Sequence, residues 1–317
     1  MNKIKKYDVV SVGGLTRDVM FYSGAGEVIS GASPTKQKLL AFEYGAKILA
    51  DKIFFSFGGG AANTAVAFAT LGLKAAAVAR VGNDENGARA VKNLSHRGVD
   101  ASLVKVDRRA ATGFSVILTT QNSAKEHVAF LHRGANDFLS ARDLPLASAA
   151  ADWFYVSSLP KSGWEQIMSA LVATKKNIVW NPGGRQLAEL NKLKKFLPKI
   201  KMLMINYDEA LEFRQLKEIK GLIKYIKNLG PQLVVITAGA KGAYVYDGQK
   251  YYFLKAQSVK SVDTVGVGDA FGAAFTSALI YGKNIKQALT WGIRNSASVV
   301  AKVGAQNGLL NRRQIDK

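Results

Sequence analysis

Residues 263–271 read Asp-Thr-Val-Gly-Val-Gly-Asp-Ala-Phe, and a helix-compatible run, Ala270 to Tyr281, follows at once. Two glycines one residue apart let backbone N–H groups turn toward an oxyanion, and a helix start adds unpaired N–H groups and the positive end of its dipole. An aspartate there repels a phosphate, so phosphate binding alone does not account for Asp269. A base does. Asp269 can take a proton from a hydroxyl while the amides of Gly266, Val267 and Gly268 stabilise a phosphoryl group in transfer. The same four residues could also make an ordinary strand-to-helix turn with Asp269 as its cap.

Five further segments could do chemistry, and each has a plain structural alternative. Gly58-Gly59-Gly60-Ala61-Ala62-Asn63 brings glycines close to a ligand and offers both amide functions of Asn63, or is a glycine-rich helix entry with a capping Asn. Gly13-Gly14-Leu15-Thr16-Arg17-Asp18 follows an apolar strand; Asp18 could accept ligand hydrogen bonds at the sheet's carboxyl edge, or bond its own turn. Asn206-Tyr207-Asp208-Glu209 could serve a magnesium-bound phosphate through Glu209, or form an N-cap with its capping-box partner. Thr237-Ala238-Gly239-Ala240-Lys241-Gly242 exposes amides and a hydroxyl to a polyphosphate, or is a hairpin turn. Arg133, before Gly134-Ala135-Asn136, could meet an anionic group or be a solvated arginine.

The elements that must position these residues alternate. Val9–Val12, Ala76–Val81, Trp153–Val156, Ile178–Trp180, Met202–Ile205 and Leu233–Thr237 read as short apolar strands. Asn63–Leu71 and Glu85–Arg97 read as helices, and helix-length segments separate the later strands. That rhythm predicts an α/β fold with a mostly parallel sheet covered on both faces. Residues 19–57 and 112–133 break it and read as β-ribbon, predicting a small β lid inserted at the mouth of the sheet within a single domain spanning residues 1–317.

With Asp-Thr before its glycines and Ala-Phe-Gly after Asp269, segment 263–272 resembles the second signature of the ribokinase-like (PfkB) carbohydrate kinase family, usually D-T-x-G-A-G-D-x-F; Val267 stands where alanine is commoner. The glycine run resembles the first signature, G-G-x-x-x-N, and the other segments follow in the family's order. The resemblance implies a three-layer αβα sandwich and an ATP- and Mg2+-dependent kinase acting on an alcohol. It implies that Asp18, Gly59, Gly60 and Asn63 hold the acceptor, with Thr16 where ribokinases have Asn and Gly60 where they often carry Lys. Asn206, Thr237, Gly239, Gly242 and Thr264 are implied on the nucleotide side, with Asn295 at the adenine wall beside Gly304-Ala305-Gln306. Glu209 is implied to act on magnesium through water, and Asp263 to help form a K+ site. Asn181-Pro182-Gly183 resembles a family element near the phosphates. A sugar, a sugar acid or an adenosine-like nucleoside all remain open as acceptor, as does a catalytically idle ligand-binding protein on the same fold.

Composition narrows the remaining classes. The 317 residues carry 48% hydrophobic residues, enough for a large core, and no cysteine, which removes disulfides and thiolate metal sites. His96, His127 and His132 lack metal-ligand spacing. No apolar run spans a bilayer and Met1–Asp8 lacks a signal-peptide core, so a cytoplasmic location is expected. The net charge of +21 raises a nucleic-acid partner, but clusters such as Lys192–Lys195 and Lys217–Lys227 sit in helical stretches with apolar residues between, as solvated helix faces do. The charge should instead draw in ATP and anionic substrates. The exposed lid edge could pair with a second subunit.

Overall fold

The computed structural model describes residues 5–33, 36–120, 127–146 and 149–317. An eight-stranded sheet runs through its centre in the order Tyr251–Leu254, Ala243–Tyr246, Leu233–Thr237, Met202–Asn206, Asn177–Trp180, Ala149–Val156, Lys5–Val12, Ala75–Val78. Neighbouring strands are parallel except at Leu233–Thr237/Ala243–Tyr246 and Ala243–Tyr246/Tyr251–Leu254, which are antiparallel. Side chains alternate across a strand, and here both sets are apolar. Val10, Val12, Phe154, Val156 and Ile205 enter one buried cluster, while Val9, Tyr155, Met204 and Val235 enter another. A sheet apolar on both faces must be covered on both, and helices do so. Among the described residues no helix is long and apolar enough to cross a membrane.

A second, four-stranded sheet has the order Val128–His132, Gly113–Thr120, Thr16–Ser23, Lys52–Gly58. It takes in the two ends of the predicted lid stretch 19–57 and most of 112–133, while Glu27–Ser33 and Lys36–Ala41 pair as a separate two-stranded sheet; residues 34–35 and 121–126 lie outside the described residues. One boundary needs correction. The strand begins at Thr16, so Asp18 lies on the small sheet, in register with Ser56 and Ser115, and not at the carboxyl end of a central strand. Gly13 and Gly14 end the central strand early enough for the chain to turn out of that sheet. The run Ala76–Val81 is likewise split: Ala75–Val78 stays in the main sheet, while Arg80–Gly82 pairs with Lys105–Asp107.

Candidate active site

The helix that begins between the two glycines spans Val267–Ile280, starting three residues earlier than its apolar run suggests. Gly266 caps it at φ 72°, and a Cβ there would lie 2.2 Å from the Cβ of Ala305. Both the left-handed backbone and the crowding demand glycine. Asp269 therefore sits in the first helical turn, among amides that a helix leaves without intrahelical partners. It does not cap the helix.

Asn63 is equally displaced from a capping role. The helix Gly60–Thr70 starts at Gly60, with Gly59 before it at φ 90° against the carbonyl of Gly14, so Asn63 lies inside the first turn and is buried. Its Nδ2 donates to Asp269 Oδ2 at 2.8 Å. Gln306 Nε2 donates to Asn63 Oδ1 at 3.3 Å, and Asn93 Nδ2 donates to Gln306 Oε1 at 3.1 Å. This relay fixes which face of the Asn63 amide Asp269 meets. The other oxygen, Asp269 Oδ1, lies beside Gly60, where a Cβ would be 3.8 Å from it. Burial raises the Asp269 carboxyl to about 6, against the lowering effect of the Asn63 hydrogen bond. The side chain retains partial solvent access, yet protein atoms crowd it on most sides. A carboxylate in that range is basic enough to take a proton and still ionised at neutral pH.

A cavity of about 410 Å³ adjoins Asn63 and Gly60. The small sheet supplies Thr16, Asp18, Phe114 and Ser115 to its wall, and the main body supplies Gly59, Gly60, Asn63 and Gly266. Asp18 is buried, and accepts from Ser115 Oγ at 2.5 Å and Thr16 Oγ1 at 3.0 Å. Burial raises its pKa while those two hydroxyls pull the other way. Gly60 is packed against Ser157, whose Cβ a methyl there would approach to 2.4 Å. Arg133 reaches the wall at Ser158. Sequence reasoning missed Asn93, Ser115 and the part played by Asn136, which donates to and accepts from the backbone of Leu15. Single polar residues in unrelated elements leave no local signal.

A second cavity, of about 340 Å³, is lined by Asn206, Thr237, Gly239, Lys217 and Lys241 among others. Asn206 caps the helix Tyr207–Phe213, accepting from Glu209 N at 2.8 Å, while Glu209 Oε2 accepts from Asn206 N at 2.9 Å. Of the two Glu209 carboxylate oxygens the cap uses Oε2 alone. Burial raises the Glu209 pKa. Gly239 and Gly242 bracket a short turn of 3-10 helix after Thr237.

Four further expected residues have the following surroundings. Asn295 is fully buried, donates to the Ala270 carbonyl at 2.8 Å and accepts from Leu310 N at 2.9 Å, so both ends of its amide are committed to backbone. Gln306, from the same supposed adenine wall, instead braces Asn63. Thr264 lines the acceptor-side cavity. Asp263 accepts from Val265 N at 2.9 Å and from Gly304 N at 2.7 Å, which ties the loop 263–266 to the segment after the helix Ile285–Val300. Among the described residues no group of three or more acidic or histidine side chains is arranged to hold a metal ion.

A glycine-cradled aspartate at a helix start, beneath a β lid on a three-layer α/β body, defines a ribokinase-fold phosphotransferase. The profile described as pfkB family carbohydrate kinase matches residues 26–312, and the chain belongs to that family, whose members are ATP-dependent kinases acting on hydroxyl groups. It is 29% identical to a ribokinase of Haemophilus influenzae over 82% of this chain and 86% of that one. Its fold matches that of a Burkholderia thailandensis nucleoside kinase solved with inosine, at a TM-score of 0.81 and 18% identity, over 97% of this chain and 96% of the other. It also matches that of an E. coli ribokinase II solved with ATP and Mg2+, at a TM-score of 0.77, with 19% identity over 98% of this chain and 97% of the other.

Proposed function

We propose that this chain transfers the γ-phosphoryl group of ATP to a hydroxyl of a small sugar or sugar-like acceptor. The observation that carries this reading is Asp269, held in the first turn of its helix by Asn63 with its second oxygen beside Gly60, itself part of the cavity wall. Asp269 takes the acceptor's proton. The amides of Gly266, Val267 and Gly268 meet the negative charge that develops on the phosphoryl oxygens. Asp18, Asn63 and the backbone of Gly59 and Gly60 orient the acceptor, with Thr16 setting the Asp18 carboxylate through its hydroxyl.

Asn206, Thr237, Gly239 and Gly242 are assigned to the nucleotide, with Lys217 and Lys241 adding positive charge at the same cavity. Glu209 fits a magnesium ion held through water, because the cap occupies Oε2 and leaves Oε1 for a metal-bound water. Magnesium would neutralise charge on the ATP phosphates. A monovalent cation at Asp263 would compete with two amide hydrogen bonds there, and exchanging potassium for a larger organic cation tests it directly. The exposed apolar lid residues Phe55 and Phe130 support the homodimer contact through the lid.

A nucleoside acceptor is the second reading, favoured by Phe114 in the cavity wall, which could stack a base. The test is ADP release with ATP and magnesium across sugars, sugar acids and nucleosides. Turnover on one acceptor class, lost in Asp269→Asn, is expected. Full turnover in that variant would remove the assignment of the base.

A further inference from the structure

Deepening the kinase reading, and resting on it, we propose that the acceptor carries a negatively charged group, a carboxylate or a phosphate, and that Arg133 selects for it. Arg133 is the one guanidinium lining the acceptor cavity among the described residues, and its side chain is only 23% exposed. Its Nε donates to Asp137 Oδ1 at 2.8 Å. That oxygen also receives Arg185 at 2.6 Å, so two cations share one carboxylate and the cluster keeps a positive charge. The two terminal nitrogens of Arg133 make only long bonds of 3.3 Å, to Ser158 Oγ and the Leu159 carbonyl. A guanidinium has five donors, of which three are engaged here. A planar anion could exchange those long contacts for two short, charge-assisted ones, which lysine or a neutral hydroxyl partner cannot match.

The remaining lining fits the same class of acceptor. Asp18 is the only carboxylate on the cavity wall among the described residues, and it already accepts two hydroxyl bonds, which spreads its charge. His127 and His132 also border the space, while Phe114, Ile117 and Leu131 make the rest of that side apolar. An anion entering there gains a cationic partner in a site of restricted water, where such a pairing is worth more than in bulk solvent.

The experiment compares kcat/KM for an aldose, its aldonic acid and its monophosphate, at five- and six-carbon lengths, in wild type, Arg133→Gln and Asp137→Asn. An anionic acceptor is expected to exceed its neutral parent by on the order of 10–100-fold, and Arg133→Gln to erase that gap through the acceptor's KM. KM for ATP should move far less. Asp137→Asn, which frees the guanidinium, should preserve or widen the preference. The acid and phosphate arms identify which anion fits. Preference for the neutral parent, with turnover still dependent on Asp269, would overturn the proposal and leave the kinase standing. So would an Arg133→Gln loss that falls equally on neutral and anionic acceptors, since that places the arginine on the transferred phosphoryl group or in folding. Absence of Asp269-dependent turnover on every acceptor would remove the kinase reading and this subsite together.

Discussion

Asn63 and Asp269, 206 residues apart in sequence, meet through a 2.8 Å hydrogen bond from the amide nitrogen to one carboxylate oxygen. Each stands in the first turn of its own helix, and the two helices pack side by side at the mouth of the sheet. The contact leaves the other oxygen of Asp269, beside Gly60, outside that bond and holds the carboxyl's basicity below what burial alone would give.

Asp269→Asn should lower kcat by about 10²–10⁴-fold with the fold intact, since proton abstraction by a positioned base contributes that much. Steady-state rates beside a thermal melt check it. The expected pairing is a folded protein with collapsed turnover.

The raised Asp269 carboxyl also has a pH signature in stability. Its folded pKa of about 6 lies above the unfolded value of 3.8, so the native state binds the proton more tightly. Relative to Asp269→Asn, wild type should gain stability as pH falls through the window from about 6 to 4, and be the less stable of the two at pH 8, by roughly 1–3 kcal/mol. Urea melts of both proteins at pH 4.5 and 8 measure the difference. A constant offset would contradict it.

On the rate side, the base must be ionised, so kcat/KM should rise with pH through an apparent pKa near 6. Removing the Asn63 donor in Asn63→Ala should move that limb to higher pH, because the hydrogen bond lowers the pKa. A pH–rate profile of the two proteins decides. An unmoved limb would mean that another group controls the rate.

Gly60→Ala pushes a methyl to 2.4 Å from Ser157 Cβ and 2.5 Å from its Oγ. Overpacking of this kind costs about 1–3 kcal/mol and should shift the helix start enough to cut kcat/KM for the acceptor by roughly tenfold or more. Adding Ser157→Gly should restore much of both, since the clash is with that side chain. Failure of the rescue would show that the glycine serves the ligand directly.

Asn295→Ala removes the partner of the half-buried Leu310 amide and a second donor to the Ala270 carbonyl, and leaves a void where a fully buried amide stood. A stability loss of about 1–3 kcal/mol is expected with KM for ATP unchanged. By contrast, Glu209→Gln keeps an acceptor for the Asn206 amide, so the cap and stability should persist while the magnesium concentration for half-maximal rate rises. A tenfold rise in KM for ATP in Asn295→Ala would restore that residue to the nucleotide site.

Much of the fold and the chemical core of the site were legible in the chain itself. Local backbone chemistry writes glycine spacing into sequence, so the loop 263–269, the Gly58–Gly60 entry and the turn 237–242 could be read directly. The period of the apolar strands likewise exposed the parallel sheet, because a sheet buried on both faces needs continuous apolar runs. What only the tertiary structure decided are relations between polar side chains far apart in the chain. The relay Asn93–Gln306–Asn63–Asp269, the placement of Asp18 on the lid, the enclosure of Asn295 and the sharing of Asp137 between Arg133 and Arg185 all depend on which elements become neighbours. A hydrogen bond across 206 residues leaves no period or spacing, and the same asparagine can cap, bind or brace until packing fixes its partners.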